Sequence, residues 1–390
     1  MDRMILRTVL LYSIGACGQR IDIDKLMQLS AGDWDEIITY LESHRIAALF
    51  YYRLKSENLD SYIPNEFIKK LQEIHRCTVD DNVRMYFKIS KVFSTLANEG
   101  IPFIVQKGAV LAESVYPSIG LRPMCDVDIL AKREDMGTLE KVMSNLGWMA
   151  NSDIPLSDGD VNAPIAINYL SELNQIELHL NIHEIPTFDP WVNAYTAKIA
   201  SNDVLVMGKS DFLIHLCLHL YTHFYKQKGS NLIWWCDILE FIKRYEHEIN
   251  WDYMIKIARE YDVENPIHHI LYLIKDKLGG QVPSDFLNQF RTKTPLTSLS
   301  DILDLPQKPM VDFYTLIDSL SINGKHSIYA RFYHIFRSII PSREFIINKY
   351  SLKRRSSVYY YYFVRIFTGI KKIVNGLFHL PAFFKTRRRI

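Results

Sequence analysis

Residues 101–130, IPFIVQKGAVLAESVYPSIGLRPMCDVDIL, contain the pattern that decides the fold. The apolar run from Ile101 to Val105 predicts a strand, Lys107-Gly108 a turn, and Ala109 to Tyr116 a helix. A Pro/Gly loop then leads to a second apolar run, which carries Asp126 and Asp128. Because strand side chains two residues apart point to the same face, we expect both carboxylates on one side of the sheet. A hard cation such as Mg²⁺ is the usual means of holding two like charges so close, so the pattern predicts a metal site.

A third carboxylate follows in a later strand. The period-two segment from Asn174 to Ile182 places Glu177 and His179 on its polar face. Together, Asp126, Asp128 and Glu177 can hold two Mg²⁺ ions about 3.5 to 4 Å apart. Such a pair assists an in-line displacement at phosphorus, because it activates the attacking oxygen and neutralises the leaving one.

Phosphate-binding features accompany the carboxylates. Gly108 lets backbone N–H groups approach a phosphate chain, and the start of the following helix adds its positive end. Lys107 adds a point charge, and Arg122 in the intervening loop can bind a phosphate with two hydrogen bonds. We therefore predict a nucleotide-binding role for Lys107, Gly108 and Arg122.

The order strand, Lys-Gly turn, helix, Asp-x-Asp strand, helix and Glu strand resembles the polymerase-beta-like nucleotidyltransferase superfamily. The chain is most similar to a bacterial family of uncharacterised nucleotidyltransferases, over roughly residues 30 to 350. The matching residues are Lys107-Gly108, Tyr116-Pro117, Arg122-Pro123, Asp126-Val127-Asp128-Ile129-Leu130 and the acid-x-His strand Glu177-Leu178-His179.

The resemblance implies an α+β fold in which a minimal nucleotidyltransferase core, a small mixed sheet with helices, is flanked by N- and C-terminal helical regions. It implies transfer of a nucleoside monophosphate from an NTP to an unidentified hydroxyl or amine acceptor, which is a small molecule, RNA or protein. Pyrophosphate is the second product. Asp126 and Asp128 would bind both Mg²⁺ ions, Glu177 would be the third carboxylate and a candidate base, and Lys107, Gly108 and Arg122 would hold the triphosphate.

Three departures from the superfamily pattern keep a second hypothesis open. Gly108 is followed by Ala109 instead of Ser or Gly, which removes a hydroxyl donor to phosphate. The spacer between Gly108 and Asp126 is longer than usual, and Glu177 stands where Asp is commoner. The alternative is a catalytically weak or inactive member that binds nucleotide or a partner.

We predict four segments in the chain. They are an N-terminal helical region at 1–98, the nucleotidyltransferase core at 99–208, a C-terminal helical region at 209–340 and a basic aromatic tail at 341–390. The first region is expected to be a packing platform, because its apolar residues recur at helical spacing and it contains no chemical motif. Within the core, 151–164 is expected to be a loop.

The C-terminal helical region contains two further candidate features. His215, His219 and His223 recur every four residues on an apolar segment. Because no HExxH motif or cysteine pair completes a zinc site, we favour histidines that line the nucleotide cleft or hydrogen-bond in the core. Asp237, which follows two tryptophans, is expected to form a salt bridge or cap a helix.

The charge of the chain is unevenly distributed. The net charge is +2, but the tail from Pro341 has twelve Lys or Arg and one acid, so its charge is +11 and that of the remainder is −9. Three interpretations of this tail stay open: a membrane-surface amphipathic helix, a site for an anionic acceptor such as RNA, and a packed helix with a solvated basic face.

The cysteines and the hydropathy indicate the compartment. Five scattered cysteines without a CxxC pair favour a reducing environment. No stretch reaches the about 18 apolar residues that span a bilayer. We therefore expect a cytoplasmic protein, with a peripheral position at the membrane as the alternative that the tail allows.

Overall fold

The computed structural model describes residues 2–16, 20–150, 166–171, 174–226, 231–290, 297 and 299–303 of the 390-residue chain. The chain divides into two compact units, Met1–Met149 with Asn168–Gln307 and Ala150–Ile167 with Lys308–Ile390. The predicted loop at 151–164, the helical region beyond 303 and the basic tail at 341–390 lie outside the described residues. The four-segment division of the chain stays a prediction.

Helices form the N-terminal part, as the apolar periodicity predicts. Ser30 begins one of them with a reciprocal capping box to Asp33, which satisfies two of the free N–H groups at the helix start. Trp34, Ile37 and Leu41 form the buried face of the same helix. The helices are α1 (Arg3–Ser13), α2 (Ile23–Met27), α3 (Ala31–Ser43), α4 (Ala47–Ser56) and α5 (Asn65–Asn98).

A seven-stranded mixed sheet follows, in the order β3-β4-β5-β2-β1-β7-β6. β1 pairs antiparallel with β2 and parallel with β7, whereas β2 pairs parallel with β5. The strands are β1 (Phe103–Val105), β2 (Val127–Ala131), β3 (Met149–Ala150), β4 (Ala166–Ser171), β5 (Asn174–His179), β6 (Tyr195–Ile199) and β7 (Asn202–Val206). The predicted α+β class with a mixed sheet and flanking helices is confirmed.

The segment between β1 and β2 differs from the prediction at one point. Lys107-Gly108 is the first turn of helix α6 (Lys107–Ser114) and not a separate turn before it. The change of direction occurs at Lys107 itself, whose φ of 42° lies in the left-handed region that residues with a side chain rarely adopt. After β2, helix α7 (Met136–Asn145) is followed by Gly147, whose φ of 79° suits the left-handed position of a helix cap.

Helix α8 (Lys209–Tyr221) follows the sheet and continues into a π-helical turn at Thr222–Lys226. α8 is almost entirely buried and packs against α9, α10 and α11. The helices that follow α8 are α9 (Leu232–Tyr245), α10 (Trp251–Glu260), α11 (Glu264–Leu278), α12 (Ser284–Asn288) and α13 (Leu299–Leu303). Among the described helices, none combines the length and the apolar character that crossing a bilayer requires.

The β6–β7 hairpin was not predicted from the sequence. Its two connecting residues, Ala200 and Ser201, have φ of 50° and 63°, values that hairpins usually obtain from Asn-Gly. The Glu113 carboxylate supports this turn, because it accepts a hydrogen bond from the Ala200 N–H at 2.8 Å. A tertiary contact therefore takes the place of the local turn signal.

The turn between α3 and α4 is attached to the first turn of α9. His44 is buried, its carbonyl accepts a hydrogen bond from the Ile233 N–H at 3.3 Å, and its Nδ1 accepts one from the Leu232 N–H at 3.4 Å. Burial lowers the pKa of His44 to about 4, so the ring is neutral at pH 7 and Nδ1 is an acceptor.

His44 should make the protein less stable in acid. Because its pKa of about 4 lies below the ordinary 6.5, the unfolded chain gains a proton first, and stability falls as the pH decreases from 6.5 towards 4. We expect the His44→Gln variant to lose about 3 kcal/mol less than the parent between pH 7 and pH 4, measured by urea unfolding. Any pH-independent cost of the substitution cancels in this comparison, and equal pH dependence of the two proteins would contradict the assignment.

Candidate active site

Three potential metal ligands meet where β2 and β5 run side by side. In the parallel register Asp128 is paired with Glu177, and His179 lies two residues further on the same face of β5. One ligand atom from each of Asp128, Glu177 and His179 lies within 4.8 Å of the others. The sheet thus brings together two of the three predicted carboxylates and adds an imidazole.

Asp128 is the most buried member of this group, with 4% of its surface exposed. Its Oδ1 accepts a hydrogen bond from Lys107 Nζ at 2.8 Å and lies 2.9 Å from His179 Nε2. Burial alone would raise the pKa of Asp128, but Lys107 and His179 hold it well below its ordinary value. Asp128 is therefore an ionised carboxylate that requires a cationic partner in its protein environment.

Asp126 lies one residue before β2 and is half-buried. It lines the same cleft as Asp128 and Glu177, although it is not part of the compact group with His179. Burial, followed by the neighbouring charge of Asp128, raises the pKa of Asp126. In the described residues, Lys107 is the one lysine or arginine that forms an ion pair with any of Asp126, Asp128 and Glu177. These three carboxylates therefore outnumber it.

The carboxylates open into a cleft of ≈ 240 Å³. Its lining includes cations, carboxylates, a glycine, a cysteine, Leu216 and three rings. The lining residues are Arg45, Lys107, Gly108, Arg122, Cys125, Asp126, Asp128, Glu177, Leu216, His219, His223, Trp234 and Asp237. All six predicted site residues therefore belong to one cleft.

Arg122 is bound to Asp237 of α9. Its Nη2 donates to Asp237 Oδ2 at 2.9 Å and its Nε to Oδ1 at 3.3 Å, and Tyr116 Oη donates to the same Oδ1 at 2.8 Å. Although burial opposes the charged form, Asp237 raises the pKa of Arg122. The predicted salt bridge of Asp237 is thus formed, and its partner is the arginine that we assigned to phosphate.

Gly108 is required by the position of Arg122. A Cβ at residue 108 would collide with Arg122 Nη1. The loop that carries Arg122 is held by Asn82 of α5, whose amide donates to the Arg122 carbonyl at 2.9 Å and accepts from the Met124 N–H at 3.3 Å. The helical platform therefore fixes this loop.

The three histidines of α8 and the following turn have different surroundings. His215 is buried, and burial lowers its pKa to about 3. His219 and His223 lie 4.4 Å apart between ring centroids, and Trp234 lies 5.2 Å and 4.6 Å from them. These three rings form an aromatic wall of the cleft, and in the described part of the chain none of the histidines of α8 joins a metal-ligand group.

His179, which supports the site, and Arg45, which lines the cleft, were not among the sequence candidates. His179 was available to the same-face argument that selected Glu177, because the two are separated by one residue. Arg45 comes from the region expected to act only as a packing platform, and its sequence neighbourhood contains no chemical motif. Only the tertiary structure places it in the cleft.

Comparison with known proteins identifies the family of the chain. The chain matches the model of a family described as uncharacterised nucleotidyltransferase over residues 30–279. The match covers more than half of the chain, so the protein belongs to this nucleotidyltransferase family, and the resemblance inferred from the sequence is confirmed.

One solved structure with which the chain aligns is that of the antibiotic-resistance factor ANT(2'')-Ia. The identity is 12%, the alignment covers 46% of this chain and 91% of that chain, and the TM-score is 0.33. No curated protein matches the chain.

Breaking the buried Arg122–Asp237 pair should strongly destabilise the protein. Removing one partner leaves the other charge buried, which typically costs about 3–5 kcal/mol. We expect Asp237→Asn and Arg122→Met each to cost about that much, and the double variant to cost clearly less than the sum, measured by urea unfolding.

The exposed pair Lys198–Asp203 provides the matched control. Asp203→Asn should cost less than about 1 kcal/mol, because exposed pairs contribute little. If Asp237→Asn cost no more than Asp203→Asn, the buried pair would not have the structural role assigned to it.

Proposed function

We propose that the protein transfers a nucleoside monophosphate from an NTP to a hydroxyl or amine acceptor and releases pyrophosphate. The observation that carries this proposal is the convergence of Asp128, Glu177 and His179 in a cleft that also holds Asp126. Membership of a nucleotidyltransferase family supports general nucleotidyl transfer. Small molecules, RNA and protein all remain candidate acceptors, and contact of the tail at 341–390 with membrane or nucleic acid remains a prediction, as do the cytoplasmic location and bacterial origin.

The side chains present fit divalent cations. Carboxylate oxygens are the preferred ligands of Mg²⁺, and Asp128 is ionised because its pKa is held low. We propose that Asp126, Asp128 and Glu177 hold two Mg²⁺ ions, with His179 oriented against Asp128 at 2.9 Å. When bound, Mg²⁺ would supply positive charge to the phosphate oxygens.

The reaction requires a base and a mobile cation from the chain. The acceptor oxygen or nitrogen attacks the α-phosphorus, the bond from that phosphorus to the pyrophosphate oxygen breaks, and the acceptor proton passes to a carboxylate. Glu177 is suited to this step because it lines the cleft and is less buried than Asp128. Lys107 has a flexible stem, so its ammonium can move from Asp128 to a phosphate oxygen.

The aromatic wall of His219, His223 and Trp234 suits a planar ring. Burial lowers the pKa of His219 well below its ordinary value, so it presents a neutral ring at pH 7. We propose that the base of the nucleotide stacks here, since stacking on aromatic side chains tolerates any base. We propose that Gly108 and Arg122 lie next to the phosphates. Arg122 also holds its own loop in place through its ion pair with Asp237.

One observation favours the alternative of a catalytically weak or inactive nucleotide-binding module. Lys107 forms an ion pair with Asp128 at 2.8 Å, so the central carboxylate already has a cationic partner from the chain itself. In such a module this pair would persist when nucleotide binds. Nucleotide binding without release of pyrophosphate in any acceptor pool would support the module.

Asp128→Asn should abolish Mg²⁺-dependent transfer. The substitution removes the ionised ligand but keeps the size of the side chain and one acceptor oxygen for Lys107 and His179. We expect a loss of at least about 100-fold in transfer of label from α-³²P-NTP to an acceptor pool from cell extract, together with loss of Mg²⁺-dependent NTP binding.

Asp203→Asn on strand β7 is the matched control and should retain full transfer, since Asp203 pairs with Lys198 at the exposed hairpin. Far-ultraviolet circular dichroism should show that both variants keep the helical content. An Asp128→Asn protein that bound Mg-NTP as tightly as the parent would disprove the metal assignment.

A further inference from the structure

The cations of the cleft differ in whether a carboxylate neutralises them. Lys107 is paired with Asp128 at 2.8 Å, and Arg122 is paired with Asp237 at 2.9 Å. The Arg45 guanidinium, which is half-buried, has neither an ion pair nor a hydrogen bond within the described residues. Among the lysine and arginine residues that line the cleft in that part of the chain, Arg45 is therefore the one whose charge no carboxylate neutralises. Its guanidinium can bind an anionic ligand.

The backbone of Arg45 is also unusual. It has φ of 59° and ends α3 with two hydrogen bonds, from its own N–H to the Glu42 carbonyl at 2.9 Å and from the Ile46 N–H to the Leu41 carbonyl at 2.8 Å. This is the Schellman arrangement, in which glycine is favoured at the left-handed position. The same pair of bonds ends α1, α4, α5, α7 and α10, where the left-handed residues are Gly15, Asn58, Gly100, Gly147 and Asp262.

Those five residues are glycine, asparagine or aspartate, the types that tolerate left-handed backbone. Arginine has no such advantage, so its presence at 45 is not explained by the turn. Non-glycine residues in this conformation cluster at ligand-binding sites, where the side chain is needed in spite of the strain. Lys107 is a second cation of the cleft on left-handed backbone, with φ of 42°.

The position of Arg45 relative to the cleft is fixed. Its neighbour His44 is hydrogen-bonded to the N–H groups of Leu232 and Ile233 at the start of α9. The same helix carries Trp234 and Asp237, which line the cleft. The guanidinium is thus presented to the cleft from an anchored turn, which limits the entropy lost when it binds a ligand.

We infer that Arg45 binds the phosphate chain of the NTP, an inference that rests on the proposed function. A guanidinium donates to phosphate oxygens through two parallel N–H groups, and its planar geometry makes such contacts specific. The ligand class is a di- or triphosphate. Arg122, whose Nε and Nη2 are bound to Asp237, positions the loop, and Arg45 supplies the unneutralised charge.

The test compares binding of phosphate ligands by calorimetry in the presence of MgCl₂. The probes are the common NTPs and inorganic tripolyphosphate, and the variants of the full chain are Arg45→Asn, Arg45→Lys and the control Arg84→Asn. Arg84 lies exposed on α5 and pairs with Asp81. We expect Arg45→Asn to weaken binding of both ligands by about 10- to 100-fold, Arg45→Lys to weaken it less, and Arg84→Asn to leave it unchanged.

Thermal unfolding separates a binding role from a structural one. Asparagine tolerates left-handed backbone, so Arg45→Asn should not lower the unfolding midpoint, and Arg45→Gly should raise it while binding stays weak. If Arg45→Asn lost both stability and affinity, Arg45→Gly would decide: restored stability with weak binding supports the inference, and restored binding overturns it.

The outcome also distinguishes this inference from the proposed function. A parent protein that binds neither NTP nor tripolyphosphate would contradict the proposed function itself. A parent that binds them, with an Arg45→Asn variant that is folded and binds them equally well, would overturn the assignment of Arg45 alone.

Discussion

The ionised carboxylate of Asp128, buried in the middle of a sheet, is the constraint on which the site depends. An isolated charge at 4% exposure would be strongly unfavourable, so the fold must place cations around it. The antiparallel pairing of β1 with β2 places Lys107, two residues after the end of β1, beside Asp128, and the parallel pairing of β2 with β5 brings His179. The left-handed backbone of Lys107 is part of the same solution, because the ammonium must reach Asp128 from the first residue of a helix.

A second buried pair organises the surroundings. Arg122 and Asp237 join the loop before β2 to α9, and Gly108 leaves the space that the guanidinium occupies. Because buried pairs contribute more to specificity of arrangement than to net stability in many proteins, the pair is best understood as a positioning device for loop and helix. After both pairs are formed, Asp126 and Glu177 remain as negative groups and Arg45 as a positive one. The cleft therefore keeps negative groups that suit cations and a positive group that suits phosphate.

The parts of this site that the sequence predicted are those encoded by local spacing. Asp126 and Asp128 are two residues apart before and within a strand, and Glu177 lies in a clean period-two segment, so their convergence follows from strand geometry. Asp237, the partner of Arg122, is 115 residues away in the sequence, and no local pattern predicts that the two residues pair. Lys107-Gly108 was expected to be a separate turn, but it is the first turn of α6. No sequence pattern predicts that a lysine adopts left-handed backbone at a helix start. The β6–β7 hairpin was missed for the same reason, since Ala200 and Ser201 depend on Glu113 for a conformation that they do not favour.

One connection between the helical platform and the cleft is made at the start of α9. The N–H groups of the first turn of α9 donate hydrogen bonds to His44 of the N-terminal region, and the same helix contributes Trp234 and Asp237 to the cleft. A core limited to the strands and α6 would hold the carboxylates, but it would lack the aromatic wall, the partner of Arg122 and the guanidinium of Arg45. The family match begins at residue 30, at the cap of α3, and ends at residue 279, at the end of α11. Those limits enclose every residue that lines the cleft, those of the helical walls as well as those of the sheet.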